Sequence, residues 1–222
     1  TTILVRNVPL SPAERARAAA EMIAPGHLEA EQAGYVDTEA ALPRLDMMGG
    51  EFCVNATRAF AALLFEEGRL SPEDEASVRE VRVSGMPEKL RVRVRRLAPG
   101  RFDSAVLLDL SEAPPLEPVA PGIHLVRVPG IAHLVLDATA HPLPVDKDRD
   151  TAALFARFGL LDEDAAGCIW LRRGPSGPSI TPFVRVRETG TTYAETACGS
   201  GTLAASVVCR AVYGDAGELV LD

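Results

Sequence analysis

The chain has 222 residues, 47% of them hydrophobic, a mean hydropathy of +0.08 and a formal net charge of −8, enough to bury the core of one large domain or two small ones. With no run of eighteen apolar residues, and with TTILVRNVPLSP lacking the basic start and apolar core of a signal peptide, a cytoplasmic protein without a membrane partner is expected. The acidic balance argues against nucleic acid as a partner, because the one basic cluster, Lys89 to Arg96, alternates with Leu and Val as an exposed strand face does.

Residues 2 to 8 (TILVRNV) read as a strand. Ser11-Pro12 supplies an N-cap and a first-turn proline for a helix running to about Ala24, before Pro25-Gly26. Strands follow near 31 to 37 and 43 to 48. GGEFCVNATRAFAALLFEEG reads as a glycine lead-in, a helix from about Cys53, and a stop at Gly68. VREVRVSG, KLRVRVRRL and RFDSAVLLDL then each carry the period-two pattern of a strand.

The stretch SEAPPLEPVAPG (111 to 122) is the strongest breaker region; no regular element is expected to cross it, and it divides the chain into domains 1–112 and 113–222. Beyond it come strands near 123 to 128 and 131 to 137 and a helix from about Asp148 to Phe158. Strands near 167 to 172 and 182 to 188, a loop with Thr191, Thr192 and Tyr193, and a helix from about Cys198 to Tyr213 complete the order, which approximately repeats that of the first half.

The repeat is visible in letters at one place. Cys53-Val-Asn-Ala-Thr-Arg-Ala59 and Cys198-Gly-Ser-Gly-Thr-Leu-Ala204 both read C-x-[NS]-x-T-x-A at the start of a helix. Two related halves, each presenting a cysteine in the same local setting, imply a pseudo-two-fold molecule with its site in the cleft between them.

Inverting an amino-acid α-carbon needs a base on one face and an acid on the other, and two facing thiols meet that need. A cysteine at a helix N-terminus is expected to have its pKa lowered by unpaired N–H groups, so that one residue is thiolate and the other thiol. The same first turns, opened by Gly199 and Gly201 and supplemented by Asn55, Ala56, Thr57, Ser200 and Thr202, suit a substrate carboxylate. Cys168 in GCIWL and Cys209 in SVVCRAV read as core fillers, and the absence of any C-x-x-C leaves neither a zinc ribbon nor a dense disulfide framework. Glu31, in EQAGY, is placed either to pair with a cationic substrate side chain or simply to face solvent.

EFCVNATR resembles the first signature, and ETACGSGT the second, of the diaminopimelate epimerase superfamily. In that superfamily each domain supplies one catalytic cysteine just before a helix, and no pyridoxal phosphate is used. The likeness in element order covers nearly the whole chain, and the second motif is the more specific. It implies an α+β fold of two pseudo-symmetric domains, each a curved, mostly antiparallel sheet around a central helix, with the active site in the interdomain cleft. It also implies an isomerase that takes an amino acid and needs no cofactor or metal, and it leaves a homodimer open. The family's histidine on a second-domain strand and its glutamate ahead of the second cysteine point to His133 and to Glu195 and Glu188.

The sequence departs from diaminopimelate epimerases where Val54 replaces the usual glycine after the first cysteine, and where Glu195 falls three residues before Cys198 instead of four. With TILV at the start, EQAGY and GGEFC-x-NAT, it looks closer to the histidine racemase branch that serves opine-type metallophore synthesis; diaminopimelate is the alternative substrate. Family members also extend further at both ends, so the resemblance implies that this chain is short at each terminus.

Three rival constellations are weaker. Gly199-Ser-Gly-Thr-Leu-Ala204 matches the dinucleotide fingerprint G-x-G-x-x-A, but YAETAC before it is no buried strand and too few residues follow for a βαβ unit. His133, Asp137 and His141 are spaced for metal ligands on a helix, yet IAHLVLDA alternates as a strand. The third is a redox or interaction protein whose cysteines are merely oxidisable.

Overall fold

Alternation builds the first sheet. In LRVRVRR, Leu90, Val92 and Val94 turn inward and Arg91, Arg93 and Arg95 outward, the pattern of a strand with one face on a core and one in water. The computed structural model describes residues 2–24, 26, 28, 30–69, 78–108, 114–187 and 190–215, and the chain divides into two compact units, Thr1–Asp109 and Leu110–Asp222.

In the first unit, β1 (Thr2–Arg6), α1 (Pro12–Met22), β2 (Gln32–Asp37), β3 (Arg44–Met47), α2 (Val54–Glu66), β4 (Val78–Val83), β5 (Leu90–Ala98) and β6 (Arg101–Leu107) follow one another. The six strands lie side by side in chain order. The steps β1/β2 and β3/β4 are parallel, and each is spanned by a helix, because a parallel pair needs a long return connection. Ser11 and Glu14 close a capping box at the head of α1, with Pro12 in the first turn. Helix α2 buries Ala56, Phe60, Ala61 and Leu64 against Leu45, Val81, Val83 and Val92, and the chain then turns at Gly68, whose φ is +67°.

The second unit holds β7 (Leu116–Ala120), β8 (Ile123–Val128), β9 (Ile131–Asp137), α3 (Lys147–Arg157), β10 (Ala165–Gly174), β11 (Gly177–Val186), β12 (Thr191–Ala194) and α4 (Gly199–Tyr213). Its sheet again runs in chain order, with β9/β10 parallel around α3 and the other pairs antiparallel. Both units therefore contain the sequence strand, helix, parallel strand, antiparallel strand, cysteine-headed helix: β1-α1-β2-β3-α2 in one, and β9-α3-β10-β11 then α4 in the other, with β12 inserted before α4. This is a mixed α+β architecture of two six-stranded sheets and four helices among the described residues.

Two expectations are corrected. A strand, β7, does form inside the 111 to 122 breaker stretch: it is the outermost strand, where Pro118 costs no ladder bond on its open side, and the register slips just after it. Thr191 to Ala194 likewise form a strand, not the expected loop, at the opposite edge; the segment is short and polar, and its pairing with Phe183 to Val186 is a contact that local pattern does not contain.

Candidate active site

Cys53 stands at the junction leading into α2. Its backbone is extended (φ −126°, ψ 111°) and it is the N-cap of the helix. The sulfur accepts the Ala56 N–H at 3.4 Å, and the Cys53 carbonyl takes both the amide of Thr57 at 3.0 Å and its hydroxyl at 2.7 Å. Serine, threonine or an Asx residue ordinarily fills this position, so a thiol here is a chemical choice more than a capping one. The thiol donates to Gln32 Oε1 at 3.1 Å, and Gln32 Nε2 donates to Thr2 Oγ1 at 2.7 Å, which ties the sulfur to the first residues of β1 and β2.

The backbone ahead of Cys53 is clamped. Ser84 Oγ donates to the Glu51 carbonyl and accepts the Met47 amide, both at 2.8 Å. Gly85, at φ +72°, lies so close that a Cβ on it would overlap the Phe52 amide nitrogen and meet the Glu51 carbonyl carbon at 2.8 Å. Only glycine provides both that φ and that approach.

Cys198 repeats the arrangement in the second unit. It is the N-cap of α4 with nearly the same backbone (φ −131°, ψ 104°); its sulfur accepts the Gly201 N–H at 3.3 Å, and its carbonyl takes the Thr202 amide and hydroxyl, each at 2.8 Å. The surroundings differ. Cys53 is half-buried, whereas Cys198 is 5% exposed, with Ser200 Oγ 3.5 Å from its sulfur and His133 Nε2 3.0 Å beyond, on Ser200.

Burial pushes the Cys198 thiol well above the ordinary cysteine range. The hydrogen-bonded Glu195 carboxylate pushes it the same way, while Ser200 and the Gly201 N–H oppose. The expectation of a lowered pKa at this helix end is therefore corrected: desolvation of a buried thiolate outweighs the N–H groups of the first turn.

The remaining expected residues sort by position. Asn55 and Gly199 lie in the first turns of the two helices, partly exposed. Thr57 and Thr202 turn their hydroxyls back onto the cysteine carbonyls, and Ala56 and Gly201 give their N–H groups to the sulfurs, so these four already serve the caps. Glu31 is partly exposed, just ahead of β2 and beside Gln32. His133 is completely buried, and burial takes its pKa down to about 3, so the ring is neutral. Glu188 lies outside the described residues. Gln32 is the residue that sequence reasoning passed over; its signal is a polar residue at the head of a strand whose next four residues, Ala33 to Val36, are apolar and buried.

Cys168 and Cys209 are fully buried among apolar side chains, and burial pushes both thiols up. Of the trio considered for a metal, Asp137 is engaged by Thr139, His141 by the Pro121 carbonyl and His133 by Ser200, so the three face different partners. The strand before GSGTLA is an antiparallel edge strand, not the parallel strand of a dinucleotide fold. A separate cavity of about 620 Å³, lined by Asn7, Arg15, Tyr35 and Asp46 among others, contains neither cysteine. No described helix is long and apolar enough to cross a membrane.

Residues 1–217 match the model of the histidine racemase CntK N-terminal domain. The chain belongs to that family. Two similar proteins, both named histidine racemase and both from Fusobacterium nucleatum subsp. nucleatum strains, are 27% identical over 219 residues and 29% identical over 221 residues, each alignment covering 91% of this chain and 74% of the relative. The chain thus stands among amino-acid racemases, which are isomerases, and these relatives lend no support to a nucleotide-binding or thiol-redox role. A solved Bacillus anthracis phenazine biosynthesis protein of the PhzF family is 14% identical with a TM-score of 0.53, covering 96% of this chain and 76% of that one, a likeness of fold alone.

Proposed function

We propose that the protein is a racemase of histidine or a closely related amino acid, working without pyridoxal phosphate, with Cys53 and Cys198 as its two acid–base groups. The observation that carries this reading is the duplicated N-cap. Two cysteines occupy the same helical position with the same backbone conformation on corresponding helices of the two units, where a hydroxyl residue would cap better. The names of the histidine racemase relatives support the choice of substrate, and the order of elements shared by the two units supports a two-domain epimerase-like arrangement.

In this mechanism one cysteine, as thiolate, removes the α-hydrogen as a proton from one face of the substrate, leaving a carbanion. The other, as thiol, returns a proton to the opposite face. The enzyme then holds its charge on the second sulfur, so the same pair serves the reverse reaction. Asn55, Glu195 and the backbone N–H groups at the heads of the two helices supply contacts to the amino-acid core and its developing charge, and Glu31 reads the side chain.

The test is solvent deuterium exchange at the α-carbon across a panel of L-amino acids, followed by NMR and chiral chromatography, without added cofactor. Deuterated D-histidine should accumulate. Activity that appears only on adding pyridoxal phosphate, or turnover of diaminopimelate with histidine ignored, overturns respectively the mechanism and the substrate.

A further inference from the structure

We propose that His133 and Ser200 are positioning residues for Cys198: His133, fixed by Gly167 as its Nε2–H tautomer, donates to Ser200 Oγ, and the Ser200 hydroxyl donates in turn to the Cys198 sulfur. This deepens the racemase reading, and rests on it only in giving Cys198 an acid–base role.

The chain of contacts starts in the sheet. His133 on β9 and Gly167 on β10 are register partners across the parallel pair. A Cβ on Gly167 would overlap His133 Nδ1 and come within 2.7 Å of Cε1, so the imidazole edge carrying Nδ1 lies against the bare Cα of the glycine. A hydrogen on Nδ1 would be driven toward the glycine α-hydrogens; a lone pair is not. Nδ1 has no hydrogen-bond partner among the described residues, so the ring's single polar contact is the one from Nε2 to Ser200 at 3.0 Å. The proton of the neutral ring therefore belongs on Nε2, where it has an acceptor.

With Nε2–H donating into one Ser200 lone pair, the hydroxyl hydrogen is free to turn to the Cys198 sulfur at 3.5 Å. The sulfur then receives two donors, Ser200 O–H and the Gly201 N–H, against burial and the Glu195 carboxylate, which both oppose the thiolate. Because burial keeps His133 neutral down to about pH 3, the ring is no proton store for the thiol. It fixes the direction of the serine hydroxyl, and that hydroxyl favours the thiolate whenever Cys198 gives up its proton.

The experiment measures iodoacetamide alkylation at Cys198, read by peptide mapping, as a function of pH on the full chain. Ser200→Ala should move the midpoint up by about one pH unit, a roughly tenfold slower reaction below it, and Ser200→Thr should stay near wild type. His133→Leu should shift the midpoint the same way by less, His133→Gln should recover part of it, and neither should add to the shift in a Ser200→Ala background. A His133 effect that persists without the serine hydroxyl, or a Ser200→Ala profile identical to wild type, overturns the proposal. Nitrogen-15 NMR of the wild-type imidazoles gives a second measurement that needs no substitution of the histidine. The imidazole whose shifts respond to Ser200→Ala should show a neutral Nε2–H ring throughout neutral pH, and an Nδ1–H signal overturns the assignment. Neither readout uses catalysis, so the failure of this inference and of the racemase reading remain distinguishable.

Discussion

A Cβ on Gly201 would stand 2.7 Å from Ile169 Cδ1 and 3.1 Å from the Cys198 sulfur, so α4 rests on β10 with the tip of Ile169 against the bare glycine. Gly201→Ala is expected to destabilise the protein by about 1 kcal/mol net, the overpacking cost being offset in part by alanine's better helix propensity. The one contact under 3 Å is the tip of a flexible side chain, and the Cys198 sulfur need give only a few tenths of an ångström. Ile169→Val removes that atom, and in its background Gly201→Ala should become neutral or stabilising, as urea unfolding of the four variants would show; an equal loss in both backgrounds contradicts the contact. Gly85→Ala has no such remedy, because both its φ and the Phe52 backbone stand against it.

Replacing the cysteines separates capping from catalysis. Serine keeps an acceptor for the Ala56 and Gly201 amides, so Cys53→Ser and Cys198→Ser should retain near-native stability, whereas each alanine variant should lose about 1 kcal/mol with its cap. All four should fall in racemisation by at least ~100-fold, the usual worth of a positioned acid or base. A serine variant that racemises at the wild-type rate removes its cysteine from the mechanism.

How much of this was legible in the sequence depends on how local each signal is. The N-cap at Ser11 with its first-turn proline, the helix stop at Gly68 and the alternation of β5 are written within a few residues, and the structure follows them. The two cysteine motifs were visible as a repeat, and both residues are N-caps. What could not be read is what depends on distant partners. Pro118 looks like a breaker until β7 is known to be an edge strand. The raised pKa of Cys198 depends on how deeply the sulfur is buried, which no spacing reveals. The contact of Gln32 with Cys53 spans twenty-one residues and joins a strand to a helix cap.

Glu31 tests the substrate. It precedes β2 next to Gln32, whose amide holds Cys53, so a carboxylate there lies close in sequence to the reactive sulfur's partner. Glu31→Gln keeps size and hydrogen bonding while removing charge. If the residue reads an imidazole or cationic side chain, KM for histidine should rise several-fold, with stability unchanged within about 0.5 kcal/mol. Steady-state racemisation with a thermal melt checks both, and an unchanged KM makes Glu31 a solvent-facing acid.

His133 also makes an acid-stability prediction, and its sign follows from where the proton goes. In the unfolded chain the ring titrates near its ordinary value of 6.5, whereas in the folded protein burial lowers it to about 3. Between those values the unfolded state binds a proton that the folded state refuses, so the histidine's contribution to stability is intact above the unfolded pKa and is lost as pH falls toward 3. The slope approaches 1.4 kcal/mol per pH unit, which amounts to roughly 2 kcal/mol between pH 7.5 and pH 5. His124, whose pKa burial also lowers, weakens the fold in the same direction over the same pH range, so wild type alone cannot isolate His133. His133→Gln isolates it. The variant loses stability at pH 8 through its altered packing, but its stability should fall less steeply from pH 7 to pH 5, by about one bound proton in the slope. Urea unfolding at half-unit pH steps gives that difference directly, and parallel curves for the two proteins would mean that the ring is protonated in the folded state and is not the neutral, glycine-backed group that the sheet geometry requires.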